Sequence, residues 1–174
     1  MSEHILLIDQ GNTRMKWVWV NDGEIDENSG GHGDLFVLGE TMRSVSVFRP
    51  ARIIVSSVAG IDSERQMGDF CRSHWRGSED VGRSLAEQGG VKCASDDPDS
   101  LGVDRCLDIV GALSRHGKPL VVWDLGTATT LDAVNESGQH LGGLIFPGTA
   151  TMLRSLQRDT KLNPPENPLP HAQG

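Results

Sequence analysis

The sequence predicts an α/β fold made of two related units that face each other. Three patterns carry the prediction. Apolar runs of strand length at residues 5–8, 53–55 and 120–123 alternate with stretches whose apolar residues recur every three or four positions, the helical spacing. A strand ending in Asp-x-Gly occurs twice: a shift of 115 residues lays Asp9 on Asp124, Gly11 on Gly126, Asn12 on Thr127 and Gly23 on Gly138. Beyond residue 160 the patterning stops, and residues 163–170 hold four of the chain's eight prolines, the composition of a tail or linker.

Residues 5–8 are expected as a buried strand. The chain turns at Gln10-Gly11-Asn12, and residues 15–20 return as the partner strand of a hairpin that leads into the turn Asn21-Asp22-Gly23. Leu35, Leu38, Met42 and Val45 share one helical face, and that helix ends before Pro50, because the residue ahead of a proline avoids the α region. Residues 53–55 form another strand. Asp62 or Ser63 then caps a helix that gathers Met67, Phe70, Cys71 and His74 on one side. The polar, glycine-dotted stretch 77–90 reads as loop with at most one short strand in it.

A helix beginning at Asp99 or Ser100 turns Val103, Cys106, Leu107 and Val110 inward and closes at Gly117. Residues 120–123 are expected as a buried strand. A second strand, a glycine turn, a third strand at 140–146 and a helix with Met152, Leu153 and Leu156 on one face follow. The chain thus divides into a first unit at 1–118, the start of a second at 119–162 with fewer elements, and the tail 163–174. Trp17, Trp19, Trp75 and Trp123 are expected in the core or half-buried in strands.

At 174 residues and 37% hydrophobic content the chain can bury a core. Its net charge of -8, with 24 acidic residues against 16 scattered Lys and Arg, argues against a nucleic-acid surface and favours small-molecule chemistry. Cys71, Cys93 and Cys106 have neither metal-ligand nor disulfide-framework spacing, and the six histidines form no pair at metal-ligand spacing and are assigned to surface or core. The run at residues 5–8 is far short of a signal-peptide core or the ~20 apolar residues of a span, so a cytoplasmic protein without a membrane anchor is expected.

A strand ending in Asp-x-Gly places a carboxylate at its tip and a glycine where backbone must approach a ligand. Exposed N–H groups and a hydroxyl or amide can then hold phosphate oxygens, and the carboxylate can hold a cation. Lys16, seven residues after Asp9, can add positive charge to a polyphosphate. A single Asp9-Gln10-Gly11-Asn12 would be an ordinary tight turn; its repetition at Asp124-Leu125-Gly126-Thr127 favours the phosphate reading. Gly102-Val103-Asp104-Arg105 opens a helix, where an acid is favoured by the dipole alone. Alternatively, Asp104 accepts a proton from a substrate hydroxyl and Arg105 grips a substrate carboxylate through both nitrogens of its fork. Asp108, one turn on, reads as a solvated companion. After Gly142-Gly143 and Pro147-Gly148, Thr149 reads as a helix N-cap, with an anion-binding helix start as the alternative.

Four of these motifs, Asp9-Gln10-Gly11-Asn12-Thr13-Arg14-Met15-Lys16, Gly102-Val103-Asp104-Arg105, Asp124-Leu125-Gly126-Thr127-Ala128 and Gly142-Gly143 with Pro147-Gly148, resemble type III pantothenate kinase in order and spacing up to Leu162. The resemblance implies two ribonuclease-H-like domains of the actin/sugar-kinase group, mixed sheets flanked by helices. It also implies ATP-dependent phosphorylation of pantothenate, the first step of coenzyme A synthesis, with Mg²⁺ and a monovalent cation, K⁺ or NH₄⁺, usually in a homodimer. By resemblance, Asp9 to Lys16 is the first ATP phosphate loop, Thr127 touches ATP from the second, and Asp124 binds the monovalent cation. Gly102, Val103, Asp104 and Arg105 bind pantothenate, Asp104 is the proton acceptor, and Ser56-Ser57-Val58 borders the site. The family commonly has a tyrosine where this chain has Ser95 or a neighbour. It also continues past the equivalent of Leu162, so the second domain is expected to be incomplete. Two other readings stay open: a kinase or phosphatase of the same fold group with another acceptor, and a non-catalytic relative or fragment.

Overall fold

The computed structural model describes residues 4–44, 50–75, 79–93 and 100–161. Val45, Ser95, Asp99, Leu162 and the tail 163–174, all invoked above, lie outside the described residues.

Strands β1 (His4–Gln10) and β2 (Met15–Asn21) form the expected hairpin. Their antiparallel register sets Asp9 opposite Lys16. At the far end of β2 the two-residue turn Asp22-Gly23 has positive φ at both positions, the twist that suits a tight hairpin. The turn leads into a strand that the sequence did not announce, β3 (Glu24–Gly33), of sequence EIDENSGGHG. Its polar residues and glycines have low strand propensity, and tertiary contacts hold it instead. Ser29 Oγ accepts from Trp19 N–H at 2.9 Å, and a side chain at Gly31 would sit 2.6 Å from the Trp17 indole.

Helix α1 (Leu35–Ser44) starts under Asp34, whose carboxylate accepts from Val37 N–H at 2.9 Å. Strand β4 (Arg52–Ser57) then returns parallel to β1. Helix α2 (Ile61–Trp75) already begins at Ile61, so Asp62 and Ser63 lie inside its first turn and neither is the N-cap expected. The stretch 77–90 holds two short strands, β5 (Asp80–Val81) and β6 (Glu87–Gln88), not at most one. β5 extends the sheet beyond β4, and β6 pairs across Gly89-Gly90 with β7 (Val91–Lys92). Pairs of this length carry no periodicity to read.

The first sheet has the order β3-β2-β1-β4-β5. Side chains alternate across it. Leu6, Ile8, Met15, Trp17, Trp19, Ile53 and Val55 form a core under α1 and α2, with Leu38, Met67 and Cys71 fully buried there. His74, expected on the packed side of α2, is exposed and stacks on Phe70.

Helix α3 (Val103–His116) starts after an extended Gly102, later than expected, and ends at Gly117 as expected. Strands β8 (Leu120–Leu125), β9 (Ala128–Val134) and β10 (His140–Pro147) form an antiparallel sheet of order β10-β9-β8, followed by α4 (Thr149–Asp159). The repeat is therefore real in three dimensions: β1-β2-β3-α1 and β8-β9-β10-α4 are the same ββ-β-α unit. A second core, of Val91, Leu101, Cys106, Ile109 and Val134, joins α3 and β7 to this sheet, so it draws residues from both sides of position 118.

Leu107 was expected in that core, but Ile109 occupies it at 0% exposure while Leu107 is 39% exposed and faces the first sheet. The outer face of the second sheet is uncovered. Val121, Trp123, Leu125 and Leu144 are each more than 60% exposed, so β8 is not the buried strand expected and Trp123 is neither core nor half-buried. Helix α4 likewise has no buried residue, with Met152 and Leu156 exposed. Strand periodicity gave the right element, but burial also needs a second layer on that face, and none lies among the described residues.

If α3 is fixed by the face carrying Ile109, Ile109→Ala should cost about 2–5 kcal/mol and Leu107→Ala much less. Urea unfolding of both variants reads this directly, and equal losses would refute the assignment of faces.

Candidate active site

The first loop is built by two parallel strand tips. Register sets Asp9 beside Ser56 and Gln10 beside Ser57, and Ser57 Oγ donates to Gln10 Oε1 at 3.1 Å inside the fold. Val58 N–H donates to Gln10 O at 3.1 Å, and Gly11 N–H to Arg14 O at 3.1 Å, which closes the turn. Asn12, Thr13, Arg14 and Lys16 are exposed, whereas Gln10 and Met15 are buried and hold the loop down. The residues of Ser56-Ser57-Val58 therefore do border the loop.

The second loop closes one residue tighter, with Gly126 N–H donating to Ala128 O at 2.9 Å. It is clamped to the start of α4: Gly148 N–H and Thr151 Oγ1 both donate to Thr127 O, each at 3.0 Å. Gly148, not Thr149, is the N-cap, and no side chain caps the helix; Thr149 is its first residue. The first-turn N–H groups therefore start beside the loop. Thr127 Oγ1 donates to Thr13 Oγ1 at 3.3 Å, so the tips of the two loops meet although 114 residues separate them.

Beside this junction four carboxylates gather. Asp9 lies on the face of the first sheet opposite the core, with Leu7, Lys16, Ile54 and Ser56, where a cleft of about 430 Å³ is closed on one side by Leu107 of α3. Asp104 and Asp108 flank Leu107 on the same helical face. Partial burial raises the Asp9 carboxyl above its usual range; Lys16 opposes this, while Asp104 and Asp124 add to it. Asp108 is pushed up to about 6, first by partial burial and then by Asp124, Asp104 and Asp9. Asp108 is solvent-exposed, as expected of a companion to Asp104, and shares the mutual repulsion of the cluster. The sequence offered only its spacing from Asp104; its proximity to Asp9 and Asp124 is tertiary.

Asp104 stands in the first turn of α3, where its Oδ1 accepts from Arg105 N–H at 2.8 Å. Arg105 is turned away toward the second sheet. Its Nε donates to Asp132 Oδ2 at 2.8 Å and its Nη2 to Asp132 Oδ1 at 2.6 Å, with Asp132 2% exposed. His140 Nε2 lies 2.8 Å from the same Oδ1. Asp132 and His140 were not singled out in the sequence. A lone Asp in the apolar strand Thr-Leu-Asp-Ala-Val was the available signal, since a buried carboxylate requires partners.

No three His, Cys, Asp or Glu side chains among the described residues are arranged to hold a metal by themselves. The donor set still fits a cation shared with a phosphate: hard oxygen ligands, mutual repulsion and one nearby lysine. Among the described residues, no helix is long and apolar enough to cross a membrane.

The ββ-β-α repeat with apposed Asp-x-Gly loops defines an α/β protein of the actin/sugar-kinase fold group. Solved structures agree. A candidate 2-dehydro-3-deoxygalactonokinase from Sinorhizobium meliloti superposes with a TM-score of 0.57 at 16% identity, over 91% of this chain and 58% of that one. A Ppx/GppA family member from Aquifex aeolicus gives 0.51 at 11% identity, over 95% and 57%. The type III pantothenate kinase family model matches residues 5–168, and the chain belongs to that family. It is 38% identical over 172 residues to a type III pantothenate kinase of Paraburkholderia phymatum, covering 92% of this chain and 60% of that protein. The corresponding enzyme of Aromatoleum aromaticum is 34% identical over 176 residues, covering 98% and 67%. The chain thus spans about 60% of the length of the first of these relatives.

The raised carboxyl of Asp108 has a measurable consequence. Its folded value, about 6, exceeds the usual 3.8, so its ionised form is disfavoured in the fold: the penalty is absent below pH 3.8 and complete above about 6. Metal-free Asp108→Asn should melt at a higher temperature than the parent chain at pH 7–8, with the gap closing as pH falls from 6 to 4. A gap that does not change with pH would contradict the cluster.

Proposed function

We propose that the protein phosphorylates pantothenate with ATP, and that the residues gathered at the loop junction carry the reaction. The apposition of Thr13 and Thr127 supports this reading most, because it brings both Asp-x-Gly loops to one place, within reach of Asp104. In this scheme the loop from Asp9 through Gln10, Gly11, Asn12, Thr13, Arg14 and Met15 to Lys16 holds the ATP phosphates from one side. Thr127 and the α4 start hold them from the other.

Gly102, Val103, Asp104 and Arg105 receive pantothenate. Asp104 takes the proton from the substrate hydroxyl as that oxygen attacks the γ-phosphorus and ADP leaves. Oδ1 of Asp104 is held by the Arg105 N–H, which aims the carboxylate. Lys16 offsets phosphate charge next to Asp9. Arg105 has its Nε–Nη2 edge engaged by Asp132, and its Nη1–Nη2 edge is the one offered to the pantothenate carboxylate. Asp124 would hold K⁺ or NH₄⁺, and Asp9 would sit beside phosphate-bound Mg²⁺. Those cations supply charge neutralisation on the phosphates. A cytoplasmic homodimer belongs to the same proposal.

A second reading, a non-catalytic binding protein, draws on the uncovered apolar face at Val121, Trp123, Leu125 and Leu144. ADP release by the purified chain with pantothenate, ATP and Mg²⁺, in K⁺ and in Na⁺, separates the two. Pantothenate-dependent turnover that falls roughly 10²–10⁴-fold in Asp104→Asn is the expected result. Absence of turnover, with ATP still raising the melting temperature by mass action, would favour the binding protein.

A further inference from the structure

The residue proposed to anchor the substrate carboxylate is itself held by two buried groups that neither loop contains. Asp132, from the middle of β9, takes the Nε–Nη2 edge of Arg105 in a two-point contact, and the Arg105 side chain is only 11% exposed. His140, from the first position of β10, meets the same Asp132 Oδ1, with its side chain 5% exposed. The fit is close. A side chain at Gly143 would fall 2.2 Å from Asp132 Oδ1 and 2.3 Å from Arg105 Nη2, so the glycine of the Gly142-Gly143 pair leaves the space the ion pair fills.

A buried ion pair is a weak source of stability, because desolvation of both charges offsets their attraction. Its geometry, however, is restrictive. With one edge of the planar guanidinium fixed by Asp132, the second edge has one direction in which to present two N–H donors. Among the described residues Nη1 makes no hydrogen bond. The carboxylate is in turn fixed by His140, whose Nε2–H donates while its buried Nδ1 has no hydrogen-bond partner among the described residues. The chain of contacts runs from β10 through β9 to α3.

We propose that Asp132 and His140 are positioning residues that set the orientation of Arg105 and so give the site its preference for a carboxylate-bearing alcohol over a neutral analogue. The inference rests on the reading of Arg105 as the carboxylate anchor. Asp132 acts directly on the guanidinium; His140 acts through Asp132. Neither touches the reacting atoms, so their loss is read in substrate discrimination and not in ATP binding.

The test compares binding and phosphorylation of pantothenate with those of panthenol, in which the carboxylate is replaced by a neutral alcohol, using the full chain with ATP and Mg²⁺. The parent chain should prefer pantothenate. Asp132→Asn should lose at least about tenfold of that preference through KM or Kd for pantothenate, with panthenol and ATP unchanged; a tenfold change is the size expected for one displaced charge-assisted contact. His140→Leu should lose part of the preference, and His140→Gln, which keeps a donor for Asp132, should restore it. The His140 pair carries the test if Asp132→Asn does not fold. Variants that melt cooperatively yet keep the full preference would overturn the positioning role alone. A parent chain that handles both compounds equally, or binds neither, would overturn the reading of Arg105, and the inference with it.

Discussion

The buried pair of Arg105 and Asp132 ties the first turn of α3 to the middle strand of the second sheet, and the arrangement of the site depends on that tie. α3 lies between two sheets and serves both. Cys106 and Ile109 pack into the second core, while Asp104, Leu107 and Asp108 face the first sheet. A helix rotated by one residue would bury a carboxylate and expose Ile109, an error that the ion pair and the apolar face oppose together. Because Asp104 and Arg105 are adjacent on a rigid element, fixing one fixes the other. The motif Gly-Val-Asp-Arg thus presents Asp104 and Arg105 to different sides of a single helical turn.

The same arrangement concentrates negative charge. Asp9, Asp104, Asp108 and Asp124 come from β1, α3 and β8, and burial with mutual repulsion raises Asp9 and Asp108. A fold selected for stability alone has little reason to gather four acids around one lysine. Clusters of perturbed carboxylates mark sites where cations and phosphates meet, and the apposed loops beside this one agree with that use. The strain is electrostatic and local, and it is confined to a cleft that the two cores leave open.

Much of the fold was legible because its repeat is written in local chemistry: apolar strand, Asp-x-Gly, strand, glycine turn, helix. Asp9, Asp124 and the two Asp-x-Gly loops were singled out in this way, and Asp104 by its place in the first turn of a helix. Strand β3 was not, since Glu24–Gly33 is polar and glycine-rich and is held by Ser29 and by close approach to Trp17. The two-residue strands β5 and β6 were too short for any period. Trp123 was misplaced for a different reason: alternation identifies two faces but not which of them has a layer to cover it.

The sequence by itself determined most element types, the internal repeat, the family resemblance and the choice of the two Asp-x-Gly loops and the Gly-Val-Asp-Arg motif as candidates, because each depends on spacing along the chain. Tertiary structure alone decided that Thr13 meets Thr127, that Asp108 joins the acids of β1 and β8, and that Arg105 is steered by Asp132 and His140. Those contacts join residues 8 to 114 positions apart, and pairings at such distances are set by how sheets and helices pack, which no local pattern records.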